Sequence, residues 1–574
     1  MFVRRYRGWQ LDDLANHCGV RVSAALLLSF RIRARRLTLR SKPLSDRTPD
    51  QHSDNEIDEE KLEDWRDRTA ATLDTGRPDA VSSRKAKGFR TARENLDDLC
   101  DPDSFTEYGQ LAVAAQRQRR TIEDLRENTA ADGIITGVAT INADQFGTDT
   151  SKAAVIINDF TVLAGTQGCF HHKKLDRILK VAAKQKLPVI MYTEGGGGRP
   201  GDVDVTTEVT GLTVPSFGLW AALSGVVPRI AVNNGYCFAG NAALFGSADI
   251  TIATRSSWIG MAGPAMIEGG GLGTFKPKEI GPMDIQAANG VVDIVVDDEA
   301  AATSTTRKLL GYFQGRVDEW DAADQQSLAK ALPTNRRFSY KVREIINTIA
   351  DNDSFTELRQ LYGSGIISGF LRIEGRPMGI IANDCRVQAG AIDAAAAEKA
   401  ARFLQLCDAF DLPLLSLCDT PGFMVGPNSE QEAAVRRMSR LFVVGANVQV
   451  PWVCVVLRKA YGLGAMAMAG GSLTRPDYTA AWPQGEFGAM GLEGAVHLGF
   501  KKELEAEKDE ASRQKLFDQL LEKLYAQGTA AEVASFVEID AVIDPRETRQ
   551  VILDALPAST EKHRHRERRF VDVW

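Results

Sequence analysis

Long hydrophobic runs are missing from this chain, although 44% of its 574 residues are hydrophobic. A membrane-spanning helix needs about 18 to 20 consecutive apolar residues, so we expect no membrane span. The eight cysteines are scattered and none belongs to a CxxC pair, which argues against a structural zinc site and for a reducing compartment. A net charge of −7 gives no sign of a nucleic-acid partner.

Motifs of side-chain catalysis and of ATP chemistry are also absent. The chain has neither the P-loop pattern GxxxxGK[ST] nor the GxSxG turn of a nucleophilic serine, and it contains only seven histidines. His171 and His172 are adjacent, so they do not share a helix face and do not predict a metal pair. With no metal site and no side-chain nucleophile expected, the main chain becomes the candidate for the chemistry.

The first 84 residues differ in composition from the rest. Residues 1–43 hold nine arginines and one lysine against two aspartates, and residues 46–68 form an acidic, polar stretch that predicts a linker running into an exposed helix. An arginine-rich start is typical of an organelle transit peptide, but a dispensable extension or a wrongly chosen start codon is favoured. We therefore expect a cytoplasmic protein, or a mitochondrial-matrix one if the source is eukaryotic and the start is a transit peptide.

The globular part repeats itself. Residues 101–111 (DPDSFTEYGQL) return as residues 351–361 (DNDSFTELRQL), with eight of eleven positions identical. GIITG at 133–137 returns as GIISG at 365–369, and matches within residues 158–194 return 225 positions later. Matched blocks in the same order indicate an internal duplication, and a period this long indicates two homologous domains rather than a solenoid.

The duplication predicts the domain organisation. An N-terminal extension and linker helix should cover residues 1–84, a first domain residues 85–335, and a second domain residues 336–574. Within each domain apolar runs alternate with segments of helical spacing, such as Lys173–Lys186 and Ala394–Phe410. Strand–helix–strand units with short connections predict a mostly parallel sheet covered by helices, which is an α/β fold.

Glycine-rich breaks follow the predicted strands. Gly195–Gly198 lies in the first domain and Pro421–Gly422 in the second, where parallel sheets bind their ligands. Two further stretches, Gly235–Ala243 and Val455–Leu473, have the pattern of a strand, a glycine-rich turn and a helix of small residues. Such a turn leaves main-chain N–H groups available at a helix start, where they hold an anion; alternatively, the glycines only permit close packing. Two such turns predict two anion holes.

These motifs resemble the carboxyltransferase (β) subunit of biotin-dependent acyl-CoA carboxylases. The runs that carry the resemblance are KGFRTARE at 87–94, EGGGGR at 194–199, DTPGF at 419–423, RKAYG at 458–462, WP at 482–483, MG at 490–491, GAV at 494–496 and IDPRETR at 543–549. The combination is specific, although each run alone is weak. The resemblance implies two tandem copies of the crotonase-type fold.

The resemblance also implies the reaction and its partners. CO2 would pass from carboxybiotin to the α, or vinylogous, carbon of an acyl-CoA, and the freed biotin nitrogen would act as the base. The chain has no MKM biotinyl-lysine sequence and no ATP-grasp signature, so biotin is expected on a separate carrier protein or subunit, beside a biotin carboxylase. Because family active sites form between the first domain of one chain and the second domain of another, we expect a homo-oligomer, a dimer or a trimer of dimers.

Site residues follow from the same resemblance. The amides of Gly462, Leu463 and Gly464 should hold the biotin oxygen, and those of Gly196, Gly197 and Gly198, or the turn at Ala239 and Gly240, the thioester oxygen. Each such donor contributes roughly 3 kcal/mol to lowering the barrier. Substrate contacts are expected from Lys173 and Lys174 to the CoA phosphates, from Asn383 and Gly390 along the ligand groove, and from Met466 in the acyl pocket. Each of these has a structural alternative: a solvated helix start, a structural turn, and core filling.

Departures from the family pattern concern the first domain and the acyl specificity. Gly195 and Gly198 replace the usual Ser and Ala, and Gly269–Gly281 lacks the family's GGxxxH pattern, with Gln286 near the expected histidine. A decarboxylase subunit that runs the reverse reaction would use the same groups and is an alternative function. A non-catalytic scaffold is another alternative, but the intact glycine loops of both domains argue against it.

Overall fold

The computed structural model describes residues 58–205, 210–557 and 569–574. Residues 63–574 form one compact unit, and the core and site described below belong to it. The arginine-rich start and most of the predicted acidic linker lie outside the described residues. Helix α1 (Glu59–Ala70) has no buried residue, which matches the exposed helix predicted to follow the linker.

The first half of this compact unit is a seven-stranded sheet with a separate two-stranded sheet, covered by helices. Its strands are β1 (Thr106–Glu107), β2 (Ile134–Thr140), β3 (Lys152–Asn158), β4 (Val189–Tyr192), β5 (Arg229–Asn233), β6 (Tyr236–Phe238), β7 (Ile250–Thr254), β8 (Trp258–Gly260) and β9 (Ile294–Val296). Its helices are α2 (Pro78–Lys85), α3 (Ala92–Leu99), α4 (Ile122–Asn128), α5 (Ala143–Phe146), α6 (Cys169–Gln185), α7 (Ser216–Ala221), α8 (Gly240–Gly246), α9 (Pro264–Gly269), α10 (Met283–Ala288) and α11 (Glu299–Gln314). Four short 3-10 helices cover Asp74–Gly76, Ala130–Gly133, Leu163–Gly165 and Pro277–Glu279.

The second half is built in the same way. Its strands are β10 (Thr356–Leu358), β11 (Ile366–Ile373), β12 (Arg376–Asn383), β13 (Leu414–Thr420), β14 (Trp452–Tyr461), β15 (Tyr478–Ala481), β16 (Glu486–Gly488) and β17 (Ala541–Val542). Its helices are α12 (Val342–Ile349), α13 (Ala394–Ala409), α14 (Pro427–Gln431), α15 (Ala434–Asn447), α16 (Gly462–Met468), α17 (Leu492–Gly499), α18 (Lys501–Glu505), α19 (Glu510–Gln527), α20 (Ala530–Ser535) and α21 (Thr548–Ala555). Three short 3-10 helices cover Gln325–Lys330, Gln388–Gly390 and Pro545–Glu547.

The strand order confirms the internal duplication. The first sheet runs β1-β2-β3-β4-β5-β7-β9, and the second runs β10-β11-β12-β13-β14-β15-β17, with β16 paired to β14. In both sheets the first three strands are antiparallel and the later pairs are parallel. Val189 pairs with Arg229 in the first half, and Leu414 pairs with Trp452 in the second. Positions 229 and 452 therefore correspond, so the offset falls from 225 to 223 in the next strand.

Half-buried ion pairs are duplicated along with the strands. Arg93 contacts Glu107 at 2.6 Å in the first half, and Arg343 contacts Glu357 at 2.7 Å in the second. Both arginines lie at the start of the corresponding helices α3 and α12, and both glutamates lie on the first strand of their sheet. The matched blocks seen in the sequence therefore preserve side-chain contacts as well as backbone structure.

The core explains why the strands read as continuous apolar runs. Every residue of β11 and of β13 is buried, as in sheets covered by helices on both faces. One apolar cluster contains buried residues of both halves, from Ile135 to Ile366 and beyond, so the halves pack against each other. Helix α11 ends at Gln314 and α12 begins at Val342. The domain boundary between residues 335 and 336 falls between them and stays a prediction.

Candidate active site

The glycine loop of the first half follows β4. Three of its amides already donate hydrogen bonds within the fold: Gly195 to the Tyr236 carbonyl at 2.7 Å, Gly196 to the Ala164 carbonyl at 3.1 Å, and Gly197 to the Asn241 side-chain oxygen at 3.0 Å. The Gly198 amide has no acceptor among the described residues, and nothing lies within 4 Å of where its Cβ would be. Of the three amides expected to hold an oxyanion, only that of Gly198 is available, because Gly196 and Gly197 use theirs to hold the loop.

A second available amide lies at the start of helix α8. Ala239, just before the helix, has a φ of +51°, and its own amide donates to the Gly260 carbonyl at 3.1 Å. Gly240 is the first residue of the helix, and its amide finds no acceptor in the described part of the chain. A Cβ at Gly240 would lie 2.1 Å from the side-chain oxygen of Gln167, so a larger residue here would displace the Gln167 side chain.

The loop and the turn lie directly against each other. Gly195 forms a parallel bridge with Cys237. Gly197 has a φ of +90°, and a Cβ there would lie 2.7 Å from the Cβ of Ala239. These contacts bring the two available amides of the first half to the same edge of the sheet, at the carboxyl ends of its strands.

The second half repeats this arrangement. The main chain of Ile392 makes two hydrogen bonds to the second loop. Its amide donates to the Gly422 carbonyl at 3.1 Å, and its carbonyl accepts from the Met424 amide at 2.8 Å. Gln167 makes the same two bonds to the first loop, 225 positions earlier. Phe423 lies between the bonded positions and corresponds to Gly198. Its amide likewise has no acceptor within the described ranges.

Phe423 ends the DTPGF run but is a site residue that the sequence analysis did not single out. The glycine pattern draws attention to Pro421 and Gly422, but proline has no N–H and the Gly422 amide donates to the Thr420 hydroxyl at 3.1 Å. The signal that identifies Phe423 is the constant offset of 225 from Gly198, because an amide can serve with any side chain beside it.

Helix α16 supplies the partner amide of the second half. Gly462 has a φ of +56°, close to the +51° of its counterpart Ala239. The amides of Gly462, Leu463 and Gly464 have no acceptors among the residues that the structure describes. Gly464 permits the close approach of the loop, since a Cβ there would lie 2.6 Å from the backbone of Gly422. The Leu463 side chain is 60% exposed, which places this helix start at the surface.

A buried carboxylate precedes each glycine loop. Glu194 accepts two hydrogen bonds from Arg84, at 3.0 and 2.6 Å, and burial raises the pKa of Glu194 to about 7 against the opposing effect of Arg84. Asp419 contacts Arg458 at 3.1 Å and Lys459 at 2.8 Å. Both carboxylates are therefore matched by cations inside the fold, and they hold the loops rather than a ligand.

The two predicted phosphate-binding lysines have different environments. Lys173 is exposed, with its ammonium 5.1 Å from the centre of the Phe170 ring, and it lines a surface cavity of about 450 Å³ together with Arg117 and Arg177. Lys174 is buried, and its ammonium donates to the carbonyl of Ile134 at 2.5 Å and to one other carbonyl. Burial lowers the pKa of Lys174 to about 8. Its ammonium is occupied inside the fold, so only Lys173 is placed to meet a phosphate.

Asn383 and Gly390 lie behind the second loop. The Asn383 side-chain oxygen accepts from the Asp419 amide at 3.1 Å, and a Cβ at Gly390 would lie 2.2 Å from the Asp419 carbonyl oxygen. These contacts favour the structural alternative for both residues. Met466 is 39% exposed on α16, one turn beyond the available amides. Its role in an acyl pocket stays a prediction.

Neither a metal centre nor a membrane span is found in the part of the chain that the structure describes. No group of three His, Cys, Asp or Glu side chains within those residues could hold a metal ion. None of the described helices is long and apolar enough to cross a membrane.

The carboxyl transferase domain family matches residues 83–573, which is most of the chain. The chain belongs to this family. Like its relatives, this carboxyl transferase is an α/β enzyme built from two tandem crotonase-like domains, as the duplicated sheets predict.

Three relatives show how far the similarity extends. The β4 subunit of a biotin-dependent long-chain acyl-coenzyme A carboxylase from Mycobacterium tuberculosis is 31% identical over 526 residues, 88% of this chain and 95% of the relative. The solved structure of a single-chain, multi-domain long-chain acyl-CoA carboxylase is 53% identical with a TM-score of 0.82 and covers 86% of this chain. The carboxyl transferase spans only 48% of that single-chain enzyme. The crystal structure of transcarboxylase 12S, described as a hexamer with methylmalonyl-coenzyme A bound, is 29% identical with a TM-score of 0.78 and covers 89% of this chain and 97% of its own.

Proposed function

We propose that this carboxyl transferase moves CO2 from carboxybiotin to the α, or vinylogous, carbon of an acyl-CoA. The observation that carries the proposal is the presence of available amides at matching positions in both halves, Gly198 with Gly240 and Phe423 with Leu463. Carboxyl transfer of this kind builds negative charge on two oxygens, that of the biotin ureido group and that of the thioester. Two pairs of donors fit two such oxygens.

The role of the chain is electrostatic. When bound, biotin supplies the carboxyl group and then a ring nitrogen as the base, which fits a site whose donors are main-chain amides. By resemblance, the second-half amides from Gly462 to Gly464 face biotin and the first-half amides face the thioester. Each preorganised donor lowers the barrier by roughly 3 kcal/mol, because it is fixed before the charge forms.

We propose a long acyl chain as the substrate class. Support comes from the 53% identical long-chain acyl-CoA carboxylase. Support also comes from four large apolar side chains that follow β8 and are exposed, Met261, Met266, Leu272 and Phe275. Strand β8 ends at Gly260, whose carbonyl holds the turn before Gly240. Met466 would line the same acyl pocket from the second half. Lys173, beside the basic cavity, is the candidate contact for the CoA phosphates.

The partners that we propose are a biotin carboxylase, a biotin carboxyl carrier and further copies of this chain. A shared site would combine the first-half amides of one chain with the second-half amides of another. The hexamer described for transcarboxylase 12S supports a trimer of dimers. Light scattering should give a multiple of 62.6 kDa, and a stable monomer of 62.6 kDa would contradict the proposal.

The reverse reaction of a decarboxylase subunit is not favoured, since the relative that is 53% identical is an acyl-CoA carboxylase. A non-catalytic scaffold is not favoured either, because both halves keep their available amides.

Labelled bicarbonate provides the direct test. The chain is combined with a biotin carboxylase, its biotinylated carrier, ATP and a panel of acyl-CoAs from short to long chains, and label in the acyl-CoA is counted. We expect transfer that depends on the carrier and favours long chains. Absence of transfer with every cognate partner would refute the proposed reaction, while transfer to short chains only would refute the proposed substrate class.

A further inference from the structure

The Glu194 carboxylate lies between the two segments that carry the available amides of the first half. Glu194 immediately precedes the glycine loop, and its side-chain oxygen would be 2.3 Å from a Cβ at Gly235. Gly235 belongs to the turn between β5 and β6, and β6 leads directly to Gly240. One buried carboxylate therefore touches the loop of Gly198 at one end and the approach to Gly240 at the other.

Arg84 of helix α2 neutralises this carboxylate. Both are buried, at 7% and 8% exposure of their side chains. Besides its two hydrogen bonds to Glu194, the Arg84 guanidinium donates to the Arg90 carbonyl at 2.9 Å and lies 4.5 Å from the centre of the Phe89 ring. Glu299 is a second acid nearby, at 3.8 Å. These contacts hold the Arg84 guanidinium in one orientation.

The second half contains the same arrangement with a different source for the cation. Asp419 corresponds to Glu194, and its partner Arg458 lies on strand β14 of the same sheet. The Arg458 guanidinium lies 4.9 Å from the centre of the Tyr340 ring and donates to the Phe338 carbonyl at 2.8 Å. An aromatic ring, a main-chain carbonyl and a buried acid thus surround the arginine in both halves.

The register shows where the two halves differ. Gly195 bridges to Cys237 in the first half, and Thr420 pairs with Ala460 in the second. Cys237 therefore corresponds to Ala460, and Gly235, two residues earlier, corresponds to Arg458. The first half therefore has a glycine where the second half has the arginine. Its cation for Glu194 is Arg84 of helix α2, which precedes the repeated blocks.

We propose that Arg84 and Glu194 are positioning residues that hold the Gly198 and Gly240 amides on a common target. This inference rests on the proposed function, in which both amides bind the thioester oxygen. Removing one partner of a buried pair leaves an unpaired charge, so the loop and the turn would lose their common anchor. A displacement of about 1 Å at such a site lowers the rate by roughly 100-fold.

Three variants and one control test the proposal by kinetics. Arg84→Met keeps the side-chain length without charge, Arg84→Lys restores the charge, and Glu194→Gln keeps the shape. We expect Arg84→Met to lower kcat by about 10- to 100-fold with little change in the KM for acyl-CoA, and Arg84→Lys to recover part of the loss. Glu194→Gln should resemble Arg84→Met. Arg93→Met breaks the neighbouring Arg93–Glu107 pair and should keep kcat within about twofold.

Hydrogen–deuterium exchange gives a readout that does not require activity. In Arg84→Met, exchange should accelerate in peptides covering residues 193–202 and 233–242 and stay unchanged at 417–426 and 458–468. Unchanged exchange in the first two peptides, or full kcat in Arg84→Met, would refute the positioning role even if the wild type transfers CO2. An inactive wild type would refute the proposed function, and the exchange pattern would still decide whether Arg84 anchors the loop.

Discussion

At the scale of single residues, the groups that matter most here are main-chain amides, which leave little trace in a sequence. Glycine patterns predict where a backbone turns, and they located both loops. They do not predict which amide stays available, because that depends on the carbonyls and side chains that approach it. Gly196 and Gly197 carried the same prediction as Gly198, but Ala164 and Asn241 occupy their amides.

Replacing Leu463 by proline removes the amide hydrogen of this position together with the leucine side chain. Position 463 lies in the first turn of α16, where proline is tolerated. Leu463→Pro should lower kcat by about 100-fold or more, as expected for the loss of one oxyanion donor. Leu463→Ala is the matched control: it keeps the amide and removes a side chain that is 60% exposed, so its kcat should stay near that of the wild type. Equal kcat values for the two variants, measured by labelled-bicarbonate transfer, would argue against this amide.

Gly240 and Gly246 open and close the same helix, α8, and offer a second matched pair. A Cβ at 240 meets Gln167 at 2.1 Å, whereas nothing lies within 4 Å of a Cβ at 246. Gly240→Ala should displace the Gln167 side chain, destabilise the fold by about 1 kcal/mol and reduce activity. Gly246→Ala should be neutral or slightly stabilising. Thermal unfolding compares them, and an equal shift in both would show that the Gln167 contact is unimportant.

At the scale of elements, helices α6 and α13 are counterparts that each carry a buried lysine. Lys174 and Lys399 lie 225 positions apart, and burial lowers their pKa values to about 8 and about 7. Helical spacing predicted both helices, but it did not show that Lys174 faces the sheet. The alanine-rich sequence around Lys399 was the available signal, because alanine is among the residues most often fully buried.

The pH dependence of stability should report Lys399. Its pKa of about 7 in the fold lies below the ordinary value, so above pH 7 the unfolded chain holds a proton that the folded chain has lost. The free energy of unfolding should therefore rise from about pH 7 to about pH 10, by at most about 1.4 kcal/mol per pH unit for one group. Lys399→Met should lose the part of this rise that Lys399 contributes, and the part that begins near pH 8, from Lys174, should remain. Lys180→Met, at an exposed position of α6, should keep it, and identical urea midpoints against pH for both variants would contradict the prediction.

At the scale of the whole molecule, the sequence predicted most of the architecture. Repeated blocks predicted two homologous domains, alternating patterns predicted parallel sheets, and combined motifs predicted the family. Contacts between distant segments could not be predicted in this way, because neither periodicity nor an internal offset reports them. Arg84 reaching Glu194 across 110 positions is one example. Another is residues 569–574, where Val571 exchanges two hydrogen bonds with Ser224 and Asp572 pairs with Arg440.

Those last residues should contribute to stability by joining the halves. Val571 is 3% exposed and packs in the shared core, so Val571→Ala should lower the free energy of unfolding by about 1–2 kcal/mol. Phe570 is 66% exposed, and Phe570→Ala should change the free energy of unfolding by less than about 0.5 kcal/mol. Urea unfolding of both variants tests this, and a larger effect at Phe570 would disprove the burial argument.

Arg84 lies before the repeated blocks but neutralises a carboxylate of the first half, which limits how the protein can be divided into fragments or recombined in chimaeras. The second half, expressed alone, carries Arg458 within its own strand and needs nothing from elsewhere for that charge. A fragment containing the first half must begin before Pro78, or Glu194 is left without its counter-ion. Chimaeras that exchange first domains between relatives should therefore transfer helix α2 along with the sheet that it serves.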